Sequence, residues 1–133
     1  DPATTEIYTH NIVGSVDVCK RQVGNYIRAS EIKPFFQLGE TKYGKPILDR
    51  LIRNETSLGD AARCALVSFD STMKSDLTVG PPIDLVVYKK DSIQISLEEH
   101  LQFKTPFFSD LSSKWSEGLR NLFKELPKFD WEK

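Results

Sequence analysis

Glu98-Glu99-His100 sets two carboxylates beside an imidazole, residue types that can bind a metal or move a proton. A metal centre needs further ligands at a set spacing, and none accompanies this triplet, which therefore reads as the solvated end of a strand. The two histidines, His10 and His100, have no Ser or Cys at a spacing diagnostic of a nucleophile and its base. The phosphate-cradling G-x-x-x-x-G-K-[ST] loop is missing, as are G-x-G-x-x-G, H-E-x-x-H and G-x-S-x-G. Cys19 and Cys64 stand 45 positions apart with no C-x-x-C. They read as two buried or half-buried thiols in a reducing compartment, with a single disulfide left open. No metal and no cofactor is expected.

Charge narrows the partners. Among 133 residues, 18 Lys and Arg balance 19 Asp and Glu, so the net charge of −1 supplies no field to recruit nucleic acid or an anionic membrane. Without a basic excess, Phe108, Trp115 and Phe123 read as core or interface residues and not as a base-stacking platform. Lys114, Arg120 and Lys124 alternate with Glu117 and Glu125, the pattern of a solvated helix face. No apolar run approaches the roughly 18 residues of a spanning helix, and the start lacks a basic flank before an apolar run. The sequence reads as soluble and cytoplasmic. The first residue is Asp1, which suggests a processed chain or a fragment.

The elements that would position any site can be read from periodicity. Asp1 to Thr5 resembles an entry loop, and Ile7 to Val18 has room for a strand or two. Tyr26 to Ala29 and Phe35 to Leu38 read as short strands around a turn containing Pro34. Pro46 suits the first position of a helix whose apolar face is Ile47, Leu48, Leu51 and Ile52, with Asn54 as its stop. Ser57-Leu58-Gly59-Asp60 resembles a capping box for a helix over 57–75, with Leu58, Ala62, Ala65, Phe69 and Met73 on one stripe. Small residues (Ala61, Ala62, Cys64, Ala65) would let that helix approach a neighbour closely. After Gly80-Pro81-Pro82, Ile83 to Tyr88 and the alternating Ile93, Ile95 and Leu97 predict an antiparallel hairpin turning at Lys89 to Ser92. Thr105-Pro106 opens a last helix with Phe108, Leu111, Trp115, Leu119 and Leu122 on one face, stopping at Leu126-Pro127. The order β-β-α-α-β-β-α predicts an α+β fold with antiparallel strands and three helices.

The stretch Phe36 to Arg50, FQLGETKYGKPILDR, resembles the signature of the bacterial proteasome-like Anbu proteins. These are proteasome-type proteases of the N-terminal-nucleophile (Ntn) hydrolase class. Ala65 to Met73, Val79 to Leu85 and Trp115 to Arg120 are similar too, with Leu126-Pro127 and Trp131 closing the chain. The resemblance covers roughly Gly24 to Lys133, which divides the chain into an unassigned segment 1–23 and a C-terminal portion of a proteasome-like domain, 24–133.

The resemblance implies a four-layer αββα sandwich, incomplete here, and peptide hydrolysis inside a self-assembled homo-oligomer. In such enzymes the mature chain's first residue, Thr or Ser, attacks while its own amine accepts the proton, assisted by an Asp and a Lys from the N-terminal half. Asp1 is not that nucleophile, and a start at Thr4 or Thr5 would place Lys20 where the Asp is wanted. The nucleophile-bearing half is therefore expected to be absent and the chain inactive alone. Proteasomes also carry Asp-x-x-Ser-Gly after the corresponding helix, supporting the terminal nucleophile. The matching run here is Asp76-Leu77-Thr78-Val79-Gly80, with Val79 in the Ser position and the Thr78 hydroxyl one place early. Asp76, Thr78 and Gly80 are accordingly the candidate supporting residues, and a solvated helix-end turn is the plain alternative for Asp76. Proteasome α-type subunits keep the fold without the nucleophile, so the alternative function is a non-catalytic structural or assembly module. Missing strands and a missing helix layer would leave apolar faces and sheet edges uncovered.

Overall fold

The computed structural model describes residues 34–37, 41–89 and 92–132, together with residues 30 and 32 and the backbone of three short strands. Those strands are β1 (Asn11–Val13), β2 (Val18–Lys20) and β3 (Asn25–Ile27). The entry segment with Thr4 and Thr5, His10, Arg28-Ala29, Leu38 to Glu40, and Lys90-Asp91 of the expected turn lie outside the described residues. Then follow β4 (Phe35–Gln37), α1 (Lys45–Leu51), α2 (Leu58–Ser75), β5 (Ile83–Tyr88), β6 (Ile95–Leu101), α3 (Pro106–Glu125) and a 3-10 turn over Asp130–Glu132. The α+β character and the three α-helices agree with the sequence reading.

The pairing of the early strands differs from the simplest expectation of neighbours in sequence. β4 pairs antiparallel with β1, Phe36 opposite Ile12, while β3 pairs antiparallel with β2, Tyr26 opposite Cys19. The third antiparallel pair is β5–β6, running from Ile83 opposite Leu101 to Tyr88 opposite Ile95, with an irregularity at Val87/Tyr88. β6 begins two residues later than the alternation predicts. The Ser92 N–H donates to the Lys89 carbonyl at 3.1 Å and its hydroxyl to the same oxygen at 2.8 Å, so the turn holds the chain until Gln94. The half-buried face expected for Ile93, Ile95 and Leu97 is exposed instead, and Leu101 is the one buried residue of β6.

Helix starts follow local chemistry. α1 begins one residue before Pro46, on an N-cap at Gly44, and ends at Leu51 rather than at Asn54. The Ser57 hydroxyl oxygen accepts the Asp60 N–H at 3.1 Å, satisfying one of the donors a helix start leaves orphaned. Asp60 is too short to complete the reciprocal half of a capping box. Its carboxylate accepts the Ser57 hydroxyl at 2.7 Å and pairs with Arg63. The Thr105 side chain does not cap α3 but accepts the Gln102 N–H at 2.8 Å.

α2 is the centre of the packing because it buries two faces. One meets Phe35 of β4 and Leu48 and Ile52 of α1 through Ala61 and Cys64. The other meets Ile83, Leu101 and Phe108 through Leu66, with Phe69, Met73, Leu85 and Leu111 alongside. Close approach to the α1 side depends on small groups. A Cβ on Gly44 would meet the Ser68 Oγ and lie 2.8 Å from Thr72 Oγ1 and 2.9 Å from the Ser68 carbonyl oxygen. Ser68 and Thr72 are buried, and the Thr72 hydroxyl is satisfied within the helix by donating to the Ser68 carbonyl at 2.9 Å. Leu58, placed on the expected stripe, is instead 42% exposed.

Candidate functional site

The seating of Gly44 against Ser68 and Thr72 brings the lead-in to α1 beside the C-terminal end of α2. Asp76 is the C-cap of that helix, its N–H donating to the Thr72 carbonyl at 2.8 Å. Beyond it the chain turns back on the Asp76 side chain. Asp76 Oδ1 accepts the Thr78 N–H at 2.9 Å and the Thr78 hydroxyl at 2.6 Å, and the Val79 N–H reaches the Asp76 carbonyl at 3.3 Å. The Thr78 hydroxyl, then the Thr78 amide, pull the Asp76 carboxyl below its ordinary value; partial burial opposes them and the Lys42 ammonium adds to them. Such a carboxylate is a weak base but a durable acceptor for a cation.

The structure thus brings Asp76 and Thr78 together, and it adds Lys42, which the sequence reading did not single out. Its only prior signal was membership of the signature stretch, 34 positions upstream of Asp76. Gly80 is exposed, and a Cβ there would come no closer than 3.9 Å to the Phe103 ring, so space does not require a glycine at this position.

Two further clusters tie elements together, one across helices that the sequence left unconnected and one across the expected hairpin. Between α2 and α3, the buried Asp70 accepts the Ser112 hydroxyl at 2.5 Å on Oδ1 and the Lys74 ammonium at 2.9 Å on Oδ2. Lys74 also donates to Ser116 Oγ at 2.9 Å. On the hairpin, His100 Nδ1 lies 2.5 Å from Asp84 Oδ1, both side chains exposed, a cross-strand pair. Glu99 and Glu98 oppose Leu85 and Val86, so they point to alternate faces. Among the described residues no group of three His, Cys, Asp or Glu is placed to hold a metal ion.

A shallow groove of about 500 Å³ opens between the α1–α2 corner and Trp115, with Asp60, Arg63 and Cys64 in its wall. Burial pushes the Cys64 thiol up to about 11, so it is no thiolate nucleophile at neutral pH. No described helix is long and apolar enough to cross a membrane.

No family model matches the chain, and no curated protein matches it. Solved structures do, and as a class they are proteasome-like subunits. The particular relatives are Anbu proteins. Anbu from Hyphomicrobium sp. strain MC1 is 48% identical with a TM-score of 0.75, the match covering 80% of this chain and 46% of that one. Anbu (ancestral beta-subunit) from Yersinia bercovieri is 42% identical with a TM-score of 0.75, covering 80% and 45%. A helical assembly of the Anbu complex from Pseudomonas aeruginosa gives 48% identity and a TM-score of 0.73, covering 80% and 44%. The chain is therefore related to Anbu over four-fifths of its length, as a partial match that spans less than half of each of these relatives.

Proposed function

We propose that residues 24–133 supply the C-terminal scaffold of a proteasome-type, N-terminal-nucleophile peptidase subunit. The observation that carries this reading is 48% identity to an Anbu subunit, with a TM-score of 0.75, over 80% of the chain. In this reading α1, α2 and α3 belong to one outer helix layer of an αββα sandwich and β5–β6 to one of its sheets. The whole subunit hydrolyses amide bonds of peptides in the cytoplasm, inside a self-assembled oligomer. Asp76 supports the terminal nucleophile as a fixed anion that holds the attacking residue's amine when it is charged, with Thr78 holding the Asp76 carboxylate in place. These 133 residues do not cleave peptides by themselves, because the nucleophile and its Asp and Lys partners belong to the other half of the subunit.

Peptide hydrolysis by the purified chain, alone and co-refolded with the N-terminal half of the Hyphomicrobium relative, tests this. Activity is expected only in the combination and should fall with Asp76→Asn. Cleavage by the chain alone that Thr4→Ala abolishes would overturn the scaffold reading. A correctly formed but inactive complex would favour the non-catalytic assembly module.

A further inference from the structure

Asp76 closes α2, and among the described residues the one charge that acts on its carboxyl comes from Lys42, before α1. The seat of Gly44 sets that approach. Gly44 is buried so close to α2 that a Cβ there would lie 2.8 Å from Thr72 Oγ1. Lys42, two residues earlier, is at most about 7 Å from Gly44 along the chain, and Asp76 lies one turn, about 6 Å, beyond Thr72. The exposed Lys42 side chain is thereby kept at the C-terminal end of α2, where the last helix carbonyls also favour a cation. The neighbouring lysines are engaged elsewhere, Lys74 with Asp70 and Ser116 and Lys45 with Asp49. α3 reaches this part of α2 through the Ser112 and Ser116 hydroxyls and β5 through Ile83, while β1 and β4 carry no charged residue.

We propose that Lys42 is a positioning residue of this site, its ammonium offsetting the Asp76 charge so that the terminal amine of the whole subunit stays neutral and able to accept the nucleophile's proton. On the peptidase reading, on which this role depends, the attacking hydroxyl passes its proton to that amine as its oxygen bonds to the peptide carbonyl carbon, and the proton later leaves on the departing amine. The terminal amine therefore has to begin neutral. A carboxylate beside it works against this, because an anion favours the ammonium form. A terminal amine ordinarily titrates at about 7.7–8.0, so any rise removes base at neutral pH. A cation near Asp76 cancels part of the carboxylate's field while leaving its oxygens to orient the amine. Lys42 acts in this way through Asp76, just as Thr78 holds the same carboxylate from the other side of the chain turn.

Two measurements on Lys42→Met and Lys42→Arg test this. In the full 133-residue chain, the Asp76 carboxyl followed by NMR should titrate higher in Lys42→Met than in the parent, and Lys42→Arg should match the parent. In the complex co-refolded with the N-terminal half of the Hyphomicrobium relative, Lys42→Met should move the acid limb of kcat/KM up by roughly half a pH unit. That is about a threefold loss on the acid side with the alkaline plateau kept, and Lys42→Arg should follow the parent profile. An unmoved Asp76 titration, a loss equal at every pH, or an arginine variant that behaves like the methionine one would each overturn the proposal. A parent complex that forms without cleaving peptide would overturn the peptidase reading and this role with it, and the Asp76 titration in the chain alone would still show whether the two charges are coupled.

Discussion

α2 and α3 have nearly the same length, 18 and 20 residues, and each carries an apolar stripe, yet eight residues of α2 are buried and one of α3. The difference does not lie in how apolar the two helices are. α2 is covered on two sides because the residues facing α1 are small, and Gly44 lets the backbones close on Ser68 and Thr72. α3 touches the core at Phe108 and Leu111 and then runs on with its stripe open. A helical period therefore records the direction in which burial is sought, and packing against a particular neighbour decides whether it is achieved.

That contrast can be broken most sharply at Leu66, which is 1% exposed at the junction of α2, the hairpin and α3. Leu66→Ala should cost about 2–5 kcal/mol through lost burial and a residual cavity, whereas Leu122→Ala should fall within about 0.5 kcal/mol of the parent; urea titration of both variants measures the gap. Gly44→Ala comes next. The added methyl has no room against the α2 backbone, and a loss of about 1–3 kcal/mol is expected, readable as a lower urea midpoint at unchanged slope. Gly118→Ala probes the opposite case and should stabilise the chain by up to about 1 kcal/mol, raising its melting temperature. The smallest effect concerns Asp76. Its depressed carboxyl contributes stability above the ordinary value of 3.8, and that contribution disappears as pH falls through the lower folded value. Asp76→Asn should melt below the parent at neutral pH and converge on it in acid; a gap independent of pH would show that the Thr78 contacts act through packing.

The helices were legible because their signals are local: Ser57 before α2, Pro46 and Pro106 at helix entries, and a stop at Leu126 after α3. The second face of α2 was not, since Ser68 and Thr72 read as polar although their burial is permitted by hydrogen bonding along the helix. Strand partners were equally hidden, because nothing in Phe35 to Gln37 names Asn11 to Val13 as its neighbour. At the candidate site the sequence gathered Asp76 and Thr78, two residues apart, through family likeness. Lys42 and the Asp84–His100 pair required the fold, since each joins positions that only tertiary packing or strand register brings together.

The polar knot of Asp70, Lys74, Ser112 and Ser116 fixes how α3 lies across α2, since turning α3 about its axis by one residue would take Ser112 away from the buried Asp70 and Ser116 away from Lys74. Everything beyond it is a lever arm. From Ser112 to Glu125 the helix extends about 20 Å at roughly 1.5 Å per residue, so a tilt of about 10° at the knot sweeps the far end through roughly 3–4 Å. Replacing the Ser112 hydroxyl would then be felt less where it is removed than at the tip, in where Leu122 and Leu126 are carried.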